Sequence, residues 1–202
     1  MRLSRIILAS ASPRRYELLR SLGLAVDAVA SGYDEPPVES LTPAELSSFH
    51  AAAKLRAVLQ RRSGPPDGVP ILAADTVVDL DGIALGKPQD AGEAARMLEM
   101  LSDRTHCVHT AFALVAPGRP ECIEERATTR VRFYALQSEE IADYVATGEP
   151  LDKAGGYGIQ GRAASLIEAI DGDFYTVMGL PLARVIRALR RLGFALPKPN
   201  ER

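Results

Sequence analysis

Tryptophan is absent from the 202 residues, aromatic residues reach only 5%, and cysteine occurs twice. So few rings argue against a base-stacking platform for single-stranded nucleic acid. Neither charge is in excess: 24 Lys plus Arg face 26 Asp plus Glu, a formal net charge of −2. A balanced chain has no general field for DNA, RNA or an anionic membrane, so an anionic ligand needs a local basic cluster. Long apolar runs are missing too, and none approaches the roughly 18 residues of a spanning helix. The start is basic and then briefly apolar, like the opening of a secretory signal. Its apolar stretch stops at Ala9, and Ser12-Pro13-Arg14-Arg15 stands where an apolar core would continue. A cytoplasmic location is expected.

What remains is ordinary globular composition, 47% hydrophobic and 25% charged. Residues 105–116 and 121–135 read as hairpin strands, with the residue opposite Cys107 near position 130. Cys107 and Cys122 then do not face each other, so reduced, buried thiols are expected rather than a disulfide. His106 and His109 are three apart, and on a strand that spacing points them to opposite faces, which disfavours a zinc pair.

The pattern predicts strands at 5–9, 26–30, 69–74 and 166–170, besides the long pair. Helices are expected at 12–22 (Ser12 as cap, Pro13 first, Gly23 as stop), at 42–62 behind the capping box Thr42-Pro43-Ala44-Glu45, and at 91–101. Two more follow, one capped by Ser138 and one opened by Pro181. Asp81-Gly82 marks a hairpin turn, and 63–68 a loop too short to join domains. Strands alternating with helices, plus an antiparallel pair, indicate an α/β fold with a mixed sheet.

Four groups stand out chemically. Ser10-Ala11-Ser12-Pro13-Arg14-Arg15 lies where a strand hands over to a helix, the edge at which open α/β sheets bind ligands. Paired arginines in a first helical turn oppose the macrodipole, which makes sense if an anion sits there; a solvated pair is the plainer alternative. Asp34, Glu35 and Asp75 follow strands, where carboxylates suit a hard cation or a water-activating base. Asp34 and Glu35 also fit an ordinary turn. Lys87 is fixed between Gly86 and Pro88, whereas Lys54 reads by itself as a surface lysine. Lys153 to Gly161 holds four glycines, and its Gln160 offers a paired donor and acceptor.

The blocks LASASPRR (8–15), YDEP (33–36), AAAKLRAV (51–58), ILAADTVV (71–78), LGKP (85–88), YVATGEPLDKAGGYGIQG (144–161) and VMGLPL (177–182) resemble the Maf family of nucleoside triphosphate pyrophosphatases. The resemblance implies one domain over 1–202, an elongated mixed sheet in two lobes around a cleft, and metal-dependent hydrolysis of a nucleoside triphosphate to monophosphate and pyrophosphate. It makes Asp75 the proton acceptor, Ser10, Arg14, Arg15, Glu35, Lys54 and Lys87 polar cleft residues, and Arg14, Thr76 and Gln160 positions of base choice. Glu35 and Asp75 would hold Mg²⁺ or Mn²⁺. The Gly-rich block resembles the branch acting on dTTP and UTP, with a house-cleaning role, and a homodimer is a candidate assembly. The alternatives are a non-catalytic nucleotide-binding regulator of septum formation, which has no need of Asp75, and a purine-selecting inosine triphosphate pyrophosphatase.

Overall fold

The computed structural model describes residues 1–62, 68–119 and 121–198; the loop read at 63–68 thus lies, Gly68 apart, outside the described residues. Seven strands form one mixed sheet among them: β1 (Arg5–Leu8), β2 (Ala25–Ala28), β3 (Ile71–Leu80), β4 (Ile83–Leu85), β5 (Thr105–Val115), β6 (Ile123–Phe133) and β7 (Ile167–Asp171). The order is β2-β1-β3-β5-β6-β7, with β4 on the far half of β3. β1 runs parallel to β2 and β3, and every other pairing is antiparallel. Six α-helices among the described residues flank the sheet: α1 (Pro13–Ser21), α2 (Pro43–Arg62), α3 (Ala91–Leu101), α4 (Ser138–Ala146), α5 (Phe174–Met178) and α6 (Leu182–Arg191).

The period-two alternation of β3 divides the core. Ile71 and Ala73 pack under Leu55 and Val58 of α2, while Leu72 and Ala74 face α1 and α6. Farther along, Val78 and Leu80 belong to a cluster with Leu98 and Leu101 of α3 and Ile141 and Tyr144 of α4. β1 pairs with β3 only at Ile71 and Leu72, whereas β3 runs on to Leu80. The sheet therefore has a step just beyond Leu72. Asp75 and Thr76 stand on that step.

Local signals explain most element ends. Ser12 Oγ accepts the Arg15 N–H, and Thr42 and Glu45 bond reciprocally at the start of α2. Asp81 (φ 52°) and Gly82 (φ 87°) take the left-handed pair that a tight hairpin requires. Several expectations are corrected. The third strand continues through Asp75 rather than stopping before it, because β5 pairs with it along its length. The cap of α4 is Gln137, whose N–H is accepted by Glu140, so Ser138 is already helical. Cys107 does lie opposite Arg130 and both thiols are free, but neither is buried: Cys107 is partly exposed and Cys122 exposed. α5 was not anticipated. Five residues give too little periodicity to be seen, and Asp173 as its cap was the available sign.

Candidate active site

A cleft of about 1090 Å³ opens at the step, walled by the start of α1, the 30–37 loop, β3, the 84–87 hairpin arm and the Gly-rich segment. Such a volume suits a nucleotide-sized ligand. Ser10, Arg14, Arg15, Glu35, Lys54, Asp75, Thr76, Lys87 and Gln160 all line it.

Lys54 is the first departure from a local reading. In α2, Ser47, Ala51, Lys54, Leu55 and Val58 share the buried stripe, so helical spacing sends this lysine inward. Its Nζ lies 2.5 Å from Asp75 Oδ1 and 2.6 Å from Glu35 Oε1. The ammonium thus bridges a carboxylate with 5% of its side chain exposed and one with 46% exposed. Burial pushes the Glu35 carboxyl up, but the Lys54 bond and charge, helped by Lys87 and His50, hold it below its ordinary value.

The adjacent arginines do different things. Arg14 reaches across the cleft to Asp152 at 3.1 Å. Arg15 is 8% exposed and turned into the wall. Its Nε donates to the Gly179 carbonyl (2.7 Å), Nη1 to Ser10 Oγ (3.2 Å) and Nη2 to Thr76 Oγ1 (3.0 Å). One N–H on each terminal nitrogen remains. Burial lowers its pKa, with Asp75 and Glu35 opposing. Ser10 Oγ also receives the Ser12 N–H, so this hydroxyl orders the turn before α1.

The Gly-rich segment forms short 3₁₀ turns with Gly155 and Gly156 at φ 69° and 70°. Gly155 presses on Val78, where an added Cβ would stand 3.0 Å from both methyls. Tyr157 anchors the segment: buried, it meets His106 Nε2 at 2.6 Å and packs edge-on against Phe133. The Gly158 N–H donates to Tyr144. Burial drives the His106 pKa down to about 4, and its Nδ1 has no partner among the described residues. Gln160 itself is exposed, and its carboxamide makes no hydrogen bond among the described residues.

Two acidic residues around the cleft were passed over by motif reading. Glu149 and Asp152 join Asp34, Glu35 and Asp75, and they balance Arg14, Arg15, Lys54, Lys87 and Lys153. Asp152 binds Lys153 as well as Arg14. The basic cluster read from the sequence is therefore balanced by carboxylates and partly paired with them, and Lys87 is its one lysine with no ion pair among the described residues. Both acids lie in the quoted block GEPLDK; their i−4 and i−1 spacing to Lys153 was the available signal.

The family described as Maf-like protein matches residues 5–192. A dTTP/UTP pyrophosphatase of Symbiobacterium thermophilum is 48% identical over 194 residues, covering 96% of this chain and 97% of the relative. One from Moorella thermoacetica is 49% identical over 192 residues, 95% and 96% of the two chains. A third, from Thermus thermophilus, is 48% identical over 189 residues, 94% and 95%.

Proposed function

The chain belongs to the Maf-like protein family, and from that premise we propose that it hydrolyses dTTP and UTP to the monophosphate and pyrophosphate. The observation that carries the reading is the buried Asp75–Lys54–Glu35 bridge in a nucleotide-sized cleft beside the start of α1.

A neutral cleft cannot hold a triphosphate, which carries about four negative charges, by net charge alone. The donor set decides what else can help. No three or more His, Cys, Asp or Glu stand together in a way that could hold a metal ion among the described residues, so an all-protein metal cage does not fit. Two carboxylates do fit Mg²⁺ or Mn²⁺, ions that take one or two such ligands and complete their shell with water and phosphate oxygens. Glu35 Oε2 and Asp75 Oδ2 make no hydrogen bond among the described residues and would be those ligands. Such an ion supplies charge neutralisation at the phosphates.

The chain's own groups divide the remaining work. The α1 N-terminus, the two spare N–H groups of Arg15, and Lys87 meet phosphate oxygens. Arg14 reaches the substrate by exchanging Asp152 for it. Lys54 fixes Asp75 Oδ1, so that one Oδ2 lone pair would face the ion and the other orients a water and takes its proton as that water attacks the α-phosphorus. Pyrophosphate leaves. Ser10 positions Arg15, while Thr76 and Gln160 face the base.

A panel of nucleoside triphosphates with Mg²⁺ or Mn²⁺, read by phosphorus NMR, tests this. The expected products from dTTP and UTP are the monophosphate and pyrophosphate. Orthophosphate as first product refutes the reaction, and preference for inosine triphosphate refutes the substrate.

A further inference from the structure

Thr110 is fully buried on β5 as the direct cross-strand partner of Thr76. Its Oγ1 lies 2.7 Å from the carbonyl oxygen of Thr176 and 2.9 Å from Thr76 Oγ1. A carbonyl oxygen only accepts, so the Thr110 proton is committed to Thr176. Toward Thr76, the Thr110 oxygen is then an acceptor, and the Thr76 proton points to it. Arg15 Nη2 meanwhile donates to Thr76 Oγ1. The Thr76 oxygen has spent its proton and one of its two lone pairs. What it offers the cleft is a single lone pair.

The far end of this chain is held firmly. Thr176 donates through both its N–H and its hydroxyl to Asp173 Oδ2 at 2.8 Å, and its carbonyl also receives the Gly179 N–H. Gly179, at φ 108°, leaves the Thr76 oxygen uncovered; a Cβ there would stand 3.4 Å from it.

We propose that Thr110 is a specificity-positioning residue: by taking the Thr76 proton, it makes Thr76 an acceptor only, which selects nucleobases that present a ring N–H. This rests on the reading of the cleft as a pyrimidine triphosphate site. Uracil and thymine present an imide N3–H, whereas cytosine presents a bare N3 and sets lone pair against lone pair. Gln160 cannot draw this distinction unaided, since an exposed carboxamide flips to suit either base. Guanine and hypoxanthine also carry a ring N–H, so Thr76 excludes adenine and cytosine, not every purine.

The test compares Thr110→Val, which keeps shape and removes the hydroxyl, with Thr110→Ser, which keeps it. UMP and CMP binding is read by calorimetry, beside kcat/KM for UTP and CTP. Wild type and Thr110→Ser should favour UMP by about tenfold or more, the order of one mismatched hydrogen bond. Thr110→Val frees Thr76 to donate, and the ratio should fall to roughly threefold or less. An unchanged ratio in folded Thr110→Val overturns the proposal, as does a wild type with no preference. Should the valine variant not fold, 5-fluoro-UMP on wild type decides, because its imide ionises at lower pH than that of UMP. An acceptor-only Thr76 loses affinity for it as the imide loses its proton; steady or rising affinity overturns the proposal. Wild type that prefers UMP yet releases no pyrophosphate from UTP refutes the activity and leaves the polarity standing. Wild type that binds neither nucleotide overturns both.

Discussion

Replacing Lys54 with methionine is the most informative perturbation of the cleft, because volume is kept and the bridging charge is lost. Glu35 is about half exposed and stays solvated, so its share of the loss is small. Asp75 is different: with 5% of its side chain exposed, it is left as a buried carboxylate without its ion-pair partner, and Arg15 acts on it only through space. Breaking a buried pair in this way costs about 3–5 kcal/mol. In a chain of this size each kcal/mol lowers Tm by about 2–4 °C, so a fall of roughly 6–20 °C is expected at pH 7. Two additions make the reasoning specific. Asp75→Asn in the Lys54→Met background should recover a large part of the loss, since the uncompensated charge is gone. A divalent ion should restore Lys54→Met more than wild type, and at ten times its Kd the gain is about 1.4 kcal/mol. Differential scanning calorimetry with and without Mg²⁺ reads all three. A Tm within about 2 °C of wild type would show that Asp75 does not depend on Lys54.

The remaining predictions separate chemistry from scaffold. Asp75→Asn should reduce kcat by about 10²- to 10⁴-fold, the range for a positioned proton acceptor, and a folded variant with wild-type turnover removes Asp75 from the chemistry. Arg14→Ala should shift the apo Tm by no more than about 2 °C, because an exposed pair and an unfavourable helix-end charge nearly cancel, while raising KM for the nucleotide. Arg15→Lys should lower the apo Tm by several degrees, since an ammonium cannot reach Ser10, Thr76 and the Gly179 carbonyl in one fork; equal melting of the two variants refutes the division. His106 is held neutral down to about 4 against an ordinary 6.5, so below pH 6.5 the unfolded chain binds a proton that the folded one refuses. Wild type should therefore lose stability from pH 6.5 toward 4, by up to roughly 3 kcal/mol, and His106→Phe should flatten that limb of a urea-denaturation series.

Much of the fold was legible because its elements announce their ends chemically. Ser12-Pro13, Thr42 with Glu45, and Asp81-Gly82 each act within four residues, and the structure uses all three. Strand ends were harder, since β3 is prolonged by β5, a partner about thirty residues away in the chain. The motif residues do gather along one cleft, but its charge balance was not legible from the motifs. Asp152 meets Arg14 across 138 positions, and no local pattern reports an ion pair at that separation. Lys54 was legible in principle, because the apolar stripe of α2 passes through it and a lysine on a buried stripe needs a partner.

The pair Arg14-Arg15 shows why motif adjacency misleads about site geometry. Successive residues on a helix point about 100° apart, so two neighbours in a first turn cannot grip one phosphate from one side. Here the rotation sends Arg14 across the opening to a half-exposed carboxylate and Arg15 back into the wall, under α5 and against Ser10. The two cations consequently differ in exposure and in what their loss exposes. Removing Arg14 leaves Asp152 in water, with Lys153 still beside it. Removing Arg15 strands the Gly179 carbonyl in a buried setting and also takes away the donor that faces the Thr76 oxygen. Under the proposed function, substrate binding, wall stability and the contact to Thr76 therefore meet in Arg15, whereas Arg14 has no part in the wall. That asymmetry places the effects of an Arg15 substitution in melting and in selectivity together, and those of an Arg14 substitution in KM.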